Sequence, residues 1–331
     1  MKKIYFENID ILKAIACILV IINHTSSYLL TNENYLNFYK IEFVMCRIAV
    51  PIFVMSTGYL MCTKELTLKD SFKKIFNVFI PLFIMSFLIY FLQNKSINVY
   101  FFKNFFQNPI TEPYWYIYML VGLYLIMPFL NQIVRNINVK EYVFLIMLTL
   151  IIPAFLKLLP FEISSYWLLT IPNYIIGYYL MGSFLYKVHE HPKFIQLSGI
   201  LFFALYIVGI IFYSSNHLKF YNIDSLLLVS MSILFMNYIL GIKITRKHKF
   251  LNLISANSFY IYLFHPVLQN KIYKISALQH LISFNYILGI LAYQLILLLI
   301  CLLLAHFINY MIKKITLAIH MYNWVITNLT E

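Results

Sequence analysis

Long apolar runs dominate this sequence and constrain its fold more than any other feature. The stretches 194–213 and 283–309 contain no Asp, Glu, Lys or Arg, and a helix needs about 20 apolar residues to cross the hydrocarbon core of a bilayer. Only 11% of the 331 residues are charged, whereas an average soluble domain has about 25%. The sequence therefore predicts an all-α integral membrane protein and excludes a water-soluble globule.

Ten apolar runs are candidates for membrane-spanning helices. They lie at 9–30, 39–62, 71–93, 113–134, 142–160, 168–186, 194–213, 223–241, 253–270 and 283–309. With a cytoplasmic N-terminus, sixteen Lys and Arg residues fall in cytoplasmic segments and seven fall outside, as the positive-inside rule requires. We therefore expect about ten transmembrane helices with the N and C termini both cytoplasmic.

The loops between these runs are short, so any chemistry is expected among the helices. Residues 1–331 are predicted to form a single transmembrane domain with no extra-membrane catalytic domain, in a multi-pass protein of the cell membrane. The net charge of +13 fits cytoplasmic loops facing anionic lipid. Nucleic acid is not an expected partner, because no basic patch lies within a soluble domain.

The four cysteines lie within or at the edge of apolar runs. Small buried hydrophobic residues are the expected role for Cys17, Cys46, Cys62 and Cys301, rather than a disulfide framework or a metal site. No metal is therefore expected.

The first span carries ionisable residues on one helical stripe. Such residues at membrane depth are costly and mark functional sites. Asp10 and Lys13 are three residues apart, so they share a face and can pair. Lys13 and His24 are eleven apart, which returns a helix to within about 20° after a rise of roughly 16 Å. The stripe therefore carries Lys13 near the cytoplasmic side and His24 in the outer half.

Three other spans carry ionisable residues that are predicted at the depth of His24. Arg47 lies in the second span, Glu112 at the outer mouth of the fourth, and His265 near the outer end of the ninth. Pro51 removes a backbone donor and is expected to loosen the helix just below Arg47. The sequence therefore predicts that these four residues converge in one outer layer.

Structural explanations for the charged residues stay open at this point. Asp10 and Lys13 can form a neutralised pair at the cytoplasmic interface. Arg47 can be a structural partner of Glu42 or of a backbone carbonyl.

The remaining candidates have structural alternatives of the same kind. Glu112 can lie in the headgroup layer, and His265 before Pro266 can cap a kinked helix end. His24 itself can be a structural intramembrane histidine.

Four segments, in this order along the chain, resemble the acyltransferase 3 family of integral-membrane O-acyltransferases. They are IDILKAIACILVIINH, RIAVPIFVMSTGYLM, WYIYMLVGLYLIMPFL and SFYIYLFHP, and the resemblance covers nearly the whole chain. Lys13 stands where the family often has Arg, which keeps the charge and loses the bidentate fork. Pro113 and Tyr114 stand where the family often has His before the Trp of this helix.

The resemblance implies transfer of an acyl group, usually acetyl, from cytoplasmic acyl-CoA to a hydroxyl of an extracytoplasmic glycan. The acceptor would be a cell-surface polysaccharide or a lipid-linked saccharide, in contact with membrane lipid. Acetyl-CoA would be the donor, as a substrate, without a metal.

Roles for the polar residues follow from this chemistry. His24 is expected to be the general base, since histidine titrates near neutral pH. Arg47 would stabilise the developing oxyanion or hold the acceptor. Lys13 and Asp10 are expected on the donor path; the acceptor residues would be Glu112, Trp115 and His265.

Other mechanisms and functions remain open from the sequence. Acyl transfer can be direct or pass through an acyl-His24 intermediate. The chain can instead be an exporter of glycans or polyprenyl-linked sugars without chemistry, or the membrane half of an amino-acid-handling system. A transporter needs a polar path, whereas an acyltransferase needs both the His24 base and a thioester site.

Overall fold

The computed structural model describes residues 7–27, 35–95, 99–159, 174–188, 192–213 and 215–329. These residues form α-helices joined by turns, and no β-strand occurs among them. The helices are α1 (Glu7–Thr25), α2 (Leu36–Cys46), α3 (Ala49–Met61), α4 (Leu68–Asn94), α5 (Val99–Gln107), α6 (Trp115–Asn136), α7 (Val139–Ile146), α8 (Ile152–Leu156), α9 (Tyr174–Val188), α10 (Pro192–Ile211), α11 (Leu226–Gly241), α12 (Lys249–Tyr273), α13 (Ser276–Phe284) and α14 (Tyr286–Leu329). Short 3₁₀ turns precede α6 and α11, and a π-helical turn joins α7 to α8.

Seven helical segments of the described chain are long and apolar enough to cross a membrane. They are Glu7–Thr25, Leu36–Met61, Leu68–Asn94, Glu112–Asn136, Val139–Leu156, Leu218–Gly241 and Tyr286–Lys314. The predictions of an all-helical fold and of a multi-pass membrane protein are confirmed.

The other three predicted spans also coincide with helices. Ile195–Ile211 is a shorter apolar helix, and α9 and α12 occupy the two remaining positions. Part of the predicted span 168–186 lies outside the described residues. The count of ten and the cytoplasmic termini stay predictions.

A break between α2 and α3 interrupts the second predicted span beside Arg47. Helix α2 ends at Cys46 and α3 begins at Ala49. Pro51 has no N–H for the carbonyl of Arg47, the residue four positions earlier. The regular bonding resumes with Ile52, whose N–H donates to the Ile48 carbonyl at 3.0 Å. The helix loosening expected from Pro51 is thus a two-residue interruption between α2 and α3, and it contains Arg47.

Helix α1 lies between two groups of buried side chains. Leu12 and Ala16 belong to a core shared with α3, α9 and α11, whereas Ala14, Cys17 and Ile21 belong to a second core with α12 and α14. Helix α1 packs most extensively on α12 and α3. The polar stripe of α1 is therefore held between apolar contacts on both sides.

Helices α3 and α9 approach so closely that their contact tolerates no Cβ at two positions. A Cβ added to Gly58 would lie 2.0 Å from the Tyr179 carbonyl oxygen, and one added to Gly182 would lie 2.0 Å from that of Met55. Small residues let membrane helices bring their backbones together. This contact fixes α3, which follows Arg47 directly.

We expect Gly182→Ala to destabilise the protein by about 1–3 kcal/mol, because the added methyl group must push α3 and α9 apart. Thermal unfolding of detergent-solubilised protein measures the effect. Gly122→Ala is the matched control, since a Cβ there has no neighbouring atom within 4 Å. Equal unfolding temperatures for the two variants would contradict the close-contact explanation.

Candidate active site

Three of the four residues predicted to converge line one cavity. His24, Arg47 and Glu112 surround a volume of about 550 Å³, within the range of small-molecule sites. His24 comes from the end of α1, Arg47 from the break after α2, and Glu112 from the turn before α6. Most of the remaining lining is polar or aromatic, and the full set is Asn23, Ser26, Ser27, Tyr39, Phe43, Gln93, Ile110, Thr111, Pro113, Pro266, Gln269 and Asn270.

Arg47 is held by contacts other than a carboxylate. Its Nε donates a hydrogen bond to the Tyr221 carbonyl at 2.9 Å, and its guanidinium lies 5.1 Å from the centre of the Phe43 ring. Glu42 instead accepts two hydrogen bonds from the Gln294 amide, at 2.9 and 3.1 Å. No ion pair among the described residues includes Arg47. Arg47 lines the same cavity as His24, and its positive charge is available to a ligand there.

His265 lies behind His24 and does not line the cavity. Its side chain is fully buried, and its ring centre is 5.0 Å from that of His24. His265 Nδ1 is 2.6 Å from the Tyr262 carbonyl, which can only accept, so Nδ1 carries the proton. The Nε2 atom is buried and finds no hydrogen-bond partner in the part of the chain that the structure describes. His265 is thus close to His24, as predicted. It does not line the cavity, so any influence on a ligand there must act through the His24 ring.

The start of α6 is clamped to α12. The Tyr114 hydroxyl donates to the Leu263 carbonyl at 2.7 Å, and the Tyr262 hydroxyl donates to the Pro113 carbonyl. These two buried bonds hold Pro113 and Tyr114 in place. The clamp places the exposed Glu112 carboxylate at the mouth of the cavity.

Trp115 is not among the cavity-lining residues. It is partly buried at the first position of α6, with its ring edge-on to Tyr116 at a centroid distance of 6.3 Å. Its acceptor role, predicted from the sequence, has no contact in the cavity to support it.

Asp10 and Lys13 form the predicted pair toward the other end of α1. Lys13 Nζ is 4.0 Å from Asp10 Oδ1, and the two side chains are 28% and 26% exposed. Asp10 Oδ1 also accepts a hydrogen bond from the Ser255 hydroxyl at 2.6 Å. The pair lies roughly 16 Å along the helix from His24 and does not line the cavity.

A basic turn between α11 and α12 lies against the first turn of α1. Asn8 Nδ2 lies within hydrogen-bonding distance of three carbonyl oxygens at the end of α11, at 2.6 Å from Ile239, 3.0 Å from Leu240 and 2.9 Å from Ile242. Glu7 Oε1 accepts from the His248 N–H at 2.8 Å. These bonds place four exposed cations near the Asp10–Lys13 pair: Lys243, Arg246, Lys247 and Lys249.

Two cavity residues absent from the sequence predictions have unpartnered oxygens. Gln269 Oε1 and Thr111 Oγ1 are buried and have no hydrogen-bond partner among the described residues. Unsatisfied buried polar groups are rare in native proteins and call for an explanation such as a ligand. Gln269 follows His265 by four residues and Thr111 precedes Glu112, so sequence spacing from the predicted residues was the available signal.

No group of three or more His, Cys, Asp or Glu side chains that could hold a metal occurs in the described part of the chain. The four cysteines are buried, as expected.

Comparison with known proteins assigns the chain to a family. The model of the acyltransferase 3 family, described as an acyltransferase domain, matches residues 6–306 of 331. No curated protein and no solved structure gives a significant match. The matched range contains every residue that lines the cavity, together with the Asp10–Lys13 pair. The chain therefore belongs to the acyltransferase 3 family of membrane acyltransferases.

Proposed function

We propose that this membrane acyltransferase moves an acetyl group from cytoplasmic acetyl-CoA to a hydroxyl of an extracytoplasmic glycan or cell-surface polysaccharide. The observation that carries the proposal is that His24 and Arg47 line one polar cavity between membrane helices. A base and a cation in one cavity are the two groups that acyl transfer to a hydroxyl requires.

The donor enters from the end of α1 that carries Lys13. CoA phosphates are multiply charged and stay in water, where the basic turn Lys243–Lys249 can bind them. The narrow pantetheine arm extends along the α1 stripe toward His24. Asp10 holds Lys13 beside that path through their 4.0 Å contact.

Acetyl transfer takes place at His24. His24 accepts the proton of the acceptor hydroxyl as the oxygen attacks the thioester carbonyl, so a C–O bond forms. The negative charge that develops on the carbonyl oxygen faces the Arg47 guanidinium. The C–S bond then breaks, and the thiolate of CoA recovers the proton from His24. A two-stage route through acetyl-His24 uses the same residues.

His265 serves as a positioning residue for His24. Its unprotonated Nε2 has no other partner and is available to an N–H of the adjacent His24 ring, which would then present its other nitrogen to the acceptor. We expect His265→Met to lower kcat about tenfold with little change in the KM for acetyl-CoA, because misorientation costs rate rather than binding. His265→Gln keeps an acceptor atom and should recover part of the rate. Equal loss in both variants would contradict the positioning role.

We expect Lys13→Ala to raise the apparent Kd for acetyl-CoA about tenfold or less, since one partly exposed charge contributes roughly 1 kcal/mol. Lys13→Arg should bind at least as tightly as the natural protein. Titration of acetyl-CoA against purified protein measures both variants, with exposed Lys103→Ala as the matched control. Unchanged affinity in Lys13→Ala would remove Lys13 from the donor site.

The test of the proposed function is transfer of label from acetyl-CoA by purified protein in lipid nanodiscs. The expected result is label in an oligosaccharide or polysaccharide fraction, dependent on His24. Movement of saccharide across the membrane without transfer of label would favour the exporter instead.

A further inference from the structure

A second cavity lies beside the active-site cavity and is lined by carboxamides. It has a volume of about 340 Å³ and is bounded by Tyr90, Gln93, Asn94, Asn104 and Asn108. Gln93 and Ile110 line both cavities, so the two spaces lie side by side. Among the described residues, no charged side chain lines the second cavity.

Helix α5 directs two of these amides toward the second cavity. Phe105 is fully buried and packs on Phe83 with ring centres 5.3 Å apart, whereas Phe106 is 71% exposed. Asn104 and Asn108 are one helical turn apart, on the side of the buried face away from Phe106. Helix α5 therefore has an apolar face for lipid and an amide face for the cavity.

The amides of the second cavity have free hydrogen-bonding capacity. Asn94 Nδ2 donates to the Tyr90 carbonyl at 3.0 Å. The side chains of Gln93, Asn104 and Asn108 make no hydrogen bond to any described residue. Each primary amide offers two donors and one acceptor, which matches a sugar hydroxyl that both donates and accepts.

The active-site cavity continues this line of neutral polar groups. Gln269 Oε1 and Thr111 Oγ1 are its buried, unpartnered oxygens. With Gln93 at the junction, neutral groups run from the neighbourhood of His24 to Asn108. A ligand that spans both cavities would satisfy these oxygens and the free amides together.

We propose that the second cavity is an acceptor subsite for an uncharged sugar unit next to the unit that is acetylated. The inference rests on the proposed function and specifies its acceptor, which is a neutral oligosaccharide or polysaccharide of at least two units. An anionic unit would need a cation, and the lining has none. An acyl chain would need an apolar surface, whereas four of the lining residues are carboxamides.

The test is binding of uncharged oligosaccharides of increasing length to the full chain in nanodiscs. Saturation-transfer NMR suits weak binding, and the probes are chito-, malto- and manno-oligosaccharides of one to four units. In at least one series we expect the Kd to fall about tenfold between one and two units. The double variant Asn104→Ala with Asn108→Ala should lose that gain and keep the binding of the single unit.

Gln107→Ala is the matched control, since it removes the same group from α5 at an exposed position that lines neither cavity. It should keep the dependence on length. No dependence on length in any series, the same dependence in the double variant, or equal loss in Gln107→Ala would each overturn the subsite.

The two proposals fail separately. Length-dependent binding without transfer of label from acetyl-CoA would overturn the proposed function and leave the subsite in place. Transfer of label to single sugars and oligosaccharides with equal KM would overturn the subsite alone.

Discussion

Replacing His24 with Gln should abolish most acyl transfer while the protein remains folded. Loss of a general base lowers the rate by on the order of 10² or more, since Gln cannot accept the hydroxyl proton. Gln keeps a polar side chain of similar length at a partly buried position, so a structural histidine would tolerate the exchange. Initial rates with labelled acetyl-CoA and the thermal unfolding temperature should be measured on the same preparation.

His280→Gln provides the matched control for this substitution. His280 is an exposed residue of α13 outside both cavities, so its replacement should leave the rate unchanged. Near-normal turnover of folded His24→Gln would exclude His24 as the base. If His24→Gln unfolds at a much lower temperature and its residual rate only follows the amount of folded protein, the structural role of His24 is favoured instead.

The acetyl-CoA affinity of His24→Gln separates catalysis from binding. The donor is expected to bind along the stripe through Lys13, which the substitution leaves intact. We therefore expect the Kd for acetyl-CoA to stay within about threefold of the natural value. The corresponding change in binding free energy is well below the roughly 1.4 kcal/mol of a tenfold change. A parallel loss of donor binding would place His24 in recognition of the thioester.

The fold class can be predicted from the sequence because long apolar segments that cross a bilayer must satisfy their backbone hydrogen bonds internally, as α-helices do. Helices occur at all ten predicted positions, and the stripe of α1 depends on the period of one helix. The Asp10–Lys13 contact and the cavity position of His24 follow from that period alone.

The rotation of neighbouring helices is not encoded in such a pattern. Depth along the membrane predicts that His265 lies level with His24, and the rings are indeed 5.0 Å apart. The spacing of four residues places Gln269 on the same face of α12 as His265, but it does not predict that His265 is buried in the core while Gln269 lines the cavity. That orientation is set by packing against α1 and α14 and by the hydroxyl bonds of Tyr114 and Tyr262.

The sequence patterns also did not predict the close contact between α3 and α9 or the neutral polar residues that line the second cavity. Gly58 and Gly182 are two of eight glycines in the chain, and spacing alone does not distinguish them from Gly122, which has open space. Asn104 and Asn108 lie on an aromatic segment whose amphipathic pattern indicates only an interface. Ionisable groups stand out in an apolar chain, whereas amides do not.

Arg47→Gln is expected to have the second largest effect, with kcat lower by on the order of 10². Loss of one oxyanion-stabilising group has effects of this size in other enzymes. Arg47→Lys keeps the charge and loses the Nε bond to the Tyr221 carbonyl, so an intermediate rate is expected. Arg135→Gln is the control, because Arg135 pairs with the exposed Glu65 away from the cavity.

The split between kcat and KM decides what Arg47 does. Stabilisation of the oxyanion exists only in the transition state, so its loss lowers kcat and kcat/KM together. Holding of the acceptor is present in the ground state too, so its loss raises the acceptor KM and leaves kcat unchanged. The Arg47 guanidinium lies over Phe43 and lines the same cavity as His24. On the proposed mechanism its charge faces the reacting carbonyl, so we expect the first pattern. A raised acceptor KM with normal kcat in folded Arg47→Gln would show that Arg47 binds the acceptor. Another group would then have to stabilise the oxyanion.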